Sequence, residues 1–200
     1  MKAFLVPVFG FLVFAFTAPA QIKLAALAPD FSLVSCERQT VKLSAFKGKT
    51  VVLEWFNYGC PFVHNHYATG ALPALQTELT GRGVVWLTIV STHPGHENYL
   101  PAEKLAAQAK KIGMKSTALL PDPEGAVGRL YGAKTTPHMF VIDAAGRVAY
   151  QGALDDRPAT SGDPSTAKNY VRAAVEELLE GKAVALPQTK AYGCSVKYAK

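Results

Sequence analysis

Val51-Val52-Leu53-Glu54-Trp55-Phe56-Asn57-Tyr58-Gly59-Cys60-Pro61 is the stretch on which the reading turns. Val51 to Phe56 is apolar apart from Glu54, with the β-branched and aromatic content of a core strand. Pro61 suits the first turn of a helix, where a missing N–H costs nothing. Cys60 is therefore expected where a buried strand gives way to a helix N-terminus. Free backbone N–H groups and the helix dipole favour an anion there. Such a setting lowers a thiol pKa, and the thiolate is the reactive species. The competing reading is a buried structural cysteine.

Working outward, strands and helices alternate. Phe31 to Val34 and Thr40 to Leu43 flank a turn around Cys36-Glu37-Arg38-Gln39. A helix is expected from Cys60 to about Tyr67, broken at Thr69-Gly70. A second then runs from Leu72-Pro73 to about Leu79, with a kink or break where the proline disfavours helical geometry at Leu72. Gly83 to Val90 reads as a strand covered on both faces. Pro101 to Lys111 reads as an amphipathic helix with Leu105, Ala109 and Ile112 on one stripe. Ala118 to Leu120 is a short strand and Glu124 to Tyr131 a helix. The last helix is expected over Thr166 to Leu179, with Tyr170, Ala174 and Leu178 inward and Gly181 as its stop. Strands alternating with helices predict an α/β fold whose sheet contains parallel strands and is covered by helices.

The chain has 200 residues and a formal charge of +6. That length fits one domain, and the composition is that of a folded protein. The lysines are spread out, so a nucleic-acid partner is not expected. No nucleotide, haem or flavin motif appears, and no cofactor is expected. Met1-Lys2, an apolar run from Ala3 to Phe16 and then Thr17-Ala18-Pro19-Ala20 has the form of a secretory signal cleaved after Ala20. The run is short for a membrane span. The expectation is an exported chain in a bacterial periplasm, with no stable membrane insertion once the signal is removed. Three cysteines, Cys36, Cys60 and Cys194, are an odd number for an oxidising compartment. At most one internal disulfide can form, so at least one cysteine has a reason to be free.

The strand, the cysteine and the Cys-Pro helix start resemble the thioredoxin-fold redoxins. This broad group holds the TlpA-type thiol oxidoreductases and the AhpC/TSA-type peroxiredoxins. Thr135-Thr136-Pro137 before His138 to Asp143 is similar to the group's cis-proline loop, and Ala144-Ala145-Gly146-Arg147 to its following hairpin turn. The "Leu-Ser-x-Phe-x-Gly-Lys" run from Leu43 to Lys49 is similar to its N-terminal portion. The resemblance covers roughly Ala28 to Gly181. It implies a thioredoxin-like fold: a central mixed β-sheet flanked by helices, with an N-terminal β-hairpin extension. Residues 1–20 are then a signal peptide, 21–185 the redoxin domain and 186–200 a C-terminal tail.

The resemblance also implies site roles. Cys60 is the nucleophile of a thiol–disulfide oxidoreductase, or of a peroxiredoxin-like peroxidase that would form a sulfenic acid on it. Glu54 holds the position of the buried acid of thioredoxins. A carboxyl in an apolar strand has a raised pKa and could exchange a proton near the sulfur; the bland alternative is an edge or lysine-paired acid. Val63 stands where thioredoxins carry their second cysteine, so the resolving thiol must come from elsewhere in the chain or from a partner. Cys194, beside Gly193 in the tail, is the internal candidate, as in peroxiredoxins whose resolving cysteine is C-terminal. The alternative is a free tail thiol. Cys36 is expected to be a buried or partly buried free thiol. Asn57 replaces the Thr or Ser with which peroxiredoxins donate to peroxide. Asn57, Pro61, Thr136 and Pro137 are the expected substrate-side residues, with the Thr136 backbone open to pairing by an extended substrate. The expected partners are a protein disulfide or peroxide and an external thiol reductant.

The histidines suggest another class. Cys60 and His64 share a helix face, and His138 follows the proline. Together they could form a soft metal site, broadly similar to copper chaperones of the Sco type. Those proteins carry a second cysteine where this chain has His64. His64 could instead simply tune the thiolate.

Overall fold

The computed structural model describes residues 22–200. The signal-like residues 1–20 lie outside the described part. No helix among the described residues is long and apolar enough to cross a membrane.

The sequence Val51–Trp55 forms the central strand β3, buried along its whole length. Ahead of it, β1 (Ser32–Val34) and β2 (Thr40–Lys42) pair antiparallel as the expected N-terminal hairpin. After it come α1 (Pro61–Ala68), α2 (Ala71–Gly81), β4 (Val85–Val90), α3 (Ala102–Lys111) and β5 (Ala118–Pro121). Then follow α4 (Ala126–Tyr131), β6 (Thr135–Thr136), β7 (His138–Ile142), β8 (Val148–Gly152), α5 (Tyr170–Leu179) and β9 (Cys194–Ser195). The main sheet has five strands in the order β5-β4-β3-β7-β8. β3 pairs parallel with β4 and antiparallel with β7, so the sheet is mixed. This is the thioredoxin-like α/β fold that the resemblance implied, hairpin included.

Because side chains alternate across a strand, β3 serves two cores. Val52 and Phe56 face Val63, Tyr67, Leu72, Leu75, Trp86, Val171 and Val175 on the side of α1, α2 and α5. Val51, Leu53 and Trp55 face Phe31, Leu43, Val127 and Tyr131 on the side of α4 and the N-terminal segment. Asp122 anchors α4 by accepting from the amides of Val127 and Gly128 and from Ser91 Oγ. That fixes the route by which the chain reaches β6 and the loop at Pro137.

Two local expectations shift. The break between α1 and α2 falls at Gly70, where the sequence put it, in the left-handed region at φ 76°, but the further kink expected at Leu72 is absent. Leu72 is itself helical, and Pro73 sits in the first turn of α2, where its lost N–H has no helical partner to lose. The last helix begins at Tyr170, after a 3-10 turn over Pro164–Thr166, because Asn169 Oδ1 caps it by accepting from the Arg172 amide. Its fully buried residues are Val171, Ala174 and Val175, and the expected Tyr170 and Leu178 pack partly buried against the same core.

The tail, whose order the sequence leaves open, is docked. Residues 186–200 are packed along the domain. The Gln151 amide donates to Pro187 O, and the Thr189 amide donates to Gln151 O at 3.1 Å. Thr189 Oγ1 also accepts from the Ala153 amide at 2.9 Å. Further on, β9 pairs antiparallel with β6, matching Thr136 with Cys194 and Thr135 with Ser195. Tyr198 Oη donates to Ala133 O, and the Arg129 guanidinium lies over the Tyr198 ring.

Candidate active site

Cys60 is the N-cap residue of α1, with Pro61 at the first helical position, as the sequence predicted. The Thr136–Pro137 peptide is cis. Cys60 Sγ donates to the Thr136 carbonyl at 2.9 Å, so the helix start and the proline loop meet at the sulfur. Cys60 is 1 % exposed, covered by the loop and by the tail. Its carbonyl accepts from the His64 amide as the first helical bond.

Burial works against ionisation of this thiol, but the thiolate's hydrogen-bond donors outweigh it. They are the Thr136 hydroxyl, the Val63 amide of the first helical turn, and the amide and thiol of Cys194. No regular side-chain cap bond closes on the helix; the amides act through their orientation toward the sulfur. The Thr136 carbonyl, which accepts from the neutral thiol, is the contact that opposes ionisation. The balance lowers the Cys60 pKa. Cys194 moves the other way, to about 11, through burial first and then its hydrogen bond to Cys60 and the charge there. Within the pair, Cys60 ionises first and Cys194 keeps its proton. Cys36 is half-buried and free, its thiol raised to about 11 by burial and by Glu37.

The tail reaches this position through a buried polar cluster. Tyr192 Oη donates to Asp155 Oδ1. That leaves its oxygen to accept from His66 Nε2, 3.2 Å away. His66 Nε2 also lies 3.7 Å from Asp155 Oδ2, and both residues are buried. The Tyr192 ring packs on Phe62 with centroids 5.9 Å apart. Gly193 follows, with φ 121°, and a Cβ there would lie 2.0 Å from the Thr136 carbonyl oxygen. Only glycine lets the tail backbone come this close to the proline loop. Sequence reasoning found Cys194 and Gly193 but not Tyr192, His66 or Asp155. The tripeptide Tyr192-Gly193-Cys194 was the available signal; the partners lie 37 and 126 residues away in the chain.

Other predicted residues are used differently. Glu54 is fully buried and accepts from Tyr67 Oη, Gln76 Nε2, Trp86 Nε1 and Thr88 Oγ1. Burial raises its pKa against these donors. Full burial and these uncharged partners correct the edge or lysine-paired alternative, and none of these side-chain bonds of Glu54 runs to Cys60. Asn57 does not address the sulfur either. Its Oδ1 accepts from the Gly59 amide at 2.8 Å and its Nδ2 donates to Thr92 Oγ1, which shapes the loop before Cys60. Thr136 and Pro137 do border the sulfur, but the Thr136 backbone is already paired with Cys194.

The metal alternative is not assembled. Among the described residues, no three His, Cys, Asp or Glu side chains group closely enough to hold an ion. His64 is exposed and lines a cavity of about 470 Å³ with Tyr58, Lys111 and Ile112. His138 packs on Phe140, 4.7 Å between centroids, and accepts at Nδ1 from the Lys134 amide. Burial and Lys134 push its pKa down to about 4. Nor does His64 figure among the groups that favour the Cys60 thiolate.

A helix-start cysteine facing a cis-proline loop on this sheet defines a thioredoxin-fold redoxin. More particularly, the AhpC/TSA family model matches residues 24–151, more than half of the sequence, and the chain belongs to that family. It is a thiol-based redox enzyme, an oxidoreductase or a peroxidase. The match ends before Tyr192 and Cys194, so the tail lies outside it. No curated protein matches the chain. Among solved structures it is similar to an uncharacterized conserved protein from Geobacillus kaustophilus, with 28% identity and a TM-score of 0.80 over 90% of this chain and 94% of that one. A hypothetical protein from Sinorhizobium meliloti 1021 is also 28% identical, TM-score 0.78, over 90% and 97%. The peroxidoxin BcpB from Mycobacterium tuberculosis shares the fold, at 18% identity and TM-score 0.55 over 80% and 98%.

Proposed function

We propose that the protein is an exported thiol–disulfide oxidoreductase in which Cys60 attacks and Cys194 resolves. The observation that carries this reading is the register of β6 and β9, which sets Cys194 opposite Thr136, whose carbonyl takes the Cys60 hydrogen bond. The Cys60 thiolate attacks one sulfur of a substrate disulfide. A mixed disulfide forms and the first substrate thiolate leaves. Two of the influences that hold the Cys194 proton come from Cys60. They vanish once Cys60 is bonded, so Cys194 becomes easier to deprotonate at the step that needs it. Its thiolate then attacks Cys60 Sγ, releases the second substrate thiolate and leaves a Cys60–Cys194 disulfide. An external thiol reductant restores the dithiol. Glu54 serves this site as a brace, tying α1, α2 and β4 together beneath the sulfur.

Export rests on the signal-like pattern of residues 1–20 and on a cysteine pair suited to an oxidising compartment. Residues 21–185 then form the redoxin domain and 186–200 the segment that brings the resolving thiol.

Family membership favours a second reading, a peroxidase. There the thiolate attacks a peroxide oxygen, hydroxide or an alcohol leaves, and Cys194 condenses with the Cys60 sulfenic acid, releasing water. Consumption of hydrogen peroxide no faster than by a free thiol would remove this reading.

The pairing is tested with Cys194→Ser. Turnover of a disulfide substrate is expected to fall roughly tenfold or more, because the resolving thiol no longer comes from within the molecule. A substrate–Cys60 adduct should accumulate and be visible by intact mass. Undiminished turnover without an adduct would contradict the assignment.

A further inference from the structure

We propose that residues 186–199 are a tethered strap that occupies the protein's own polypeptide-binding edge and selects small disulfides over extended chains. This rests on the reading of Cys60 as the nucleophile and adds the substrate class.

The edge in question is the backbone of Thr135 and Thr136. An extended chain could pair with it and lay a disulfide across Cys60. In this protein that edge is already filled by Cys194 and Ser195. The strap is held on both sides of the pairing. Upstream, Thr189 is bonded to β8 through Gln151 O and to the Ala153 amide. Tyr192 enters the buried Asp155 and His66 cluster. Downstream, the Val196 amide donates to Lys134 O at 3.1 Å and the His93 amide donates to Lys197 O at 2.9 Å. An extended polypeptide must displace this whole run. A disulfide of a few atoms needs only a local opening at the sulfur. Once Cys60 and Cys194 are joined, the strap is tied down covalently, so the oxidised protein refuses extended chains altogether. Reduction returns it to non-covalent docking.

Tyr192 is thus a positioning residue for specificity. Its hydroxyl bonds a buried carboxylate, and losing such a bond typically weakens docking by roughly tenfold or more. Gly193 is the second lever, because a Cβ there would collide with the Thr136 carbonyl and drive the strap off.

The test uses the reduced full chain and two oxidants with the same leaving group. One is oxidised glutathione. The other is a short unstructured peptide carrying glutathione in disulfide linkage at a central cysteine. Each reaction ends in a Cys60–Cys194 disulfide and two released thiols, so single-turnover rates compare directly. The natural chain is expected to react faster with oxidised glutathione. In Tyr192→Phe and in Gly193→Ala, the ratio of peptide rate to glutathione rate should rise about tenfold or more. Amide hydrogen exchange reads the strap without chemistry: Val196 and Thr189 should be protected in the natural chain and should exchange faster in both variants. A rate ratio that neither substitution changes, or unprotected amides in the natural chain, would overturn the strap. A Cys60 inert to both oxidants, with those amides still protected, would instead overturn the nucleophile assignment on which substrate selection depends.

Discussion

Replacing Cys60 by serine is expected to lower disulfide exchange on the order of 10³-fold or more while the fold is retained. A serine hydroxyl stays protonated in the setting that ionises the thiol, and an alkoxide gains nothing from attack on sulfur. Burial alone would raise the Cys60 pKa, but the Thr136 hydroxyl and the Val63 and Cys194 donors bring it below the ordinary value of 9.0. The reduced protein should therefore gain its first thiolate absorbance below that pH. Cys36 and Cys194, both near 11, should follow much later. In Cys60→Ser the early step should be missing. The same shift links to stability. A pKa lowered by folding contributes stability that is full above the unfolded value and is lost as pH falls through the folded one. The serine variant should lack that dependence. Turnover that survives the substitution would contradict the mechanism.

The second large effect is expected at Glu54, through stability. Glu54→Ala should cost about 3–5 kcal/mol, read by urea denaturation, because a buried carboxyl is removed from four donor side chains that stay behind. Tyr67, Gln76, Trp86 and Thr88 would be left facing a cavity without an acceptor. The pH dependence separates the charge from the shape. Burial raises the Glu54 pKa, so above the ordinary carboxyl value of 4.5 the folded state keeps a proton that the unfolded chain gives up. Stability from this group should then fall as pH rises from that value through the folded pKa. Glu54→Gln should remove that slope. A Glu54→Ala variant within about 1 kcal/mol of the natural chain would show that the cluster does not brace the core.

These two residues mark how far the sequence could be read. β3 and the helix start at Cys60 are written in local patterns: an apolar, β-branched and aromatic run and a proline at a first helical turn. The loop at Pro137, the hairpin turn after it and the thioredoxin-like fold are legible through the resemblance to the redoxins. Glu54 was legible as a buried acid, but its partners come from α1, α2 and β4, and nothing local tells whether they or the sulfur claim it. Asn57 likewise looked like a substrate donor at its position, yet its amide is spent on Gly59 and Thr92. The tail was the least legible part. Lys182 to Lys200 has neither helical nor strand periodicity, and from Pro187 onward it is held by distant partners such as Gln151, Asp155, Thr136 and Ala133. Sequence reasoning makes Cys194 a candidate partner for the sulfur and leaves the order of its tail open. The structure has it docked there in the reduced protein.

The central claim is that Cys60 and Cys194 form one redox pair. It is tested most directly by oxidising the reduced chain with one equivalent of a small disulfide and mapping the linkages by mass spectrometry of a non-reduced digest. The account predicts a Cys60–Cys194 peptide pair with Cys36 still free. A linkage to Cys36, or substrate turned over while Cys60 and Cys194 remain unlinked, would contradict it.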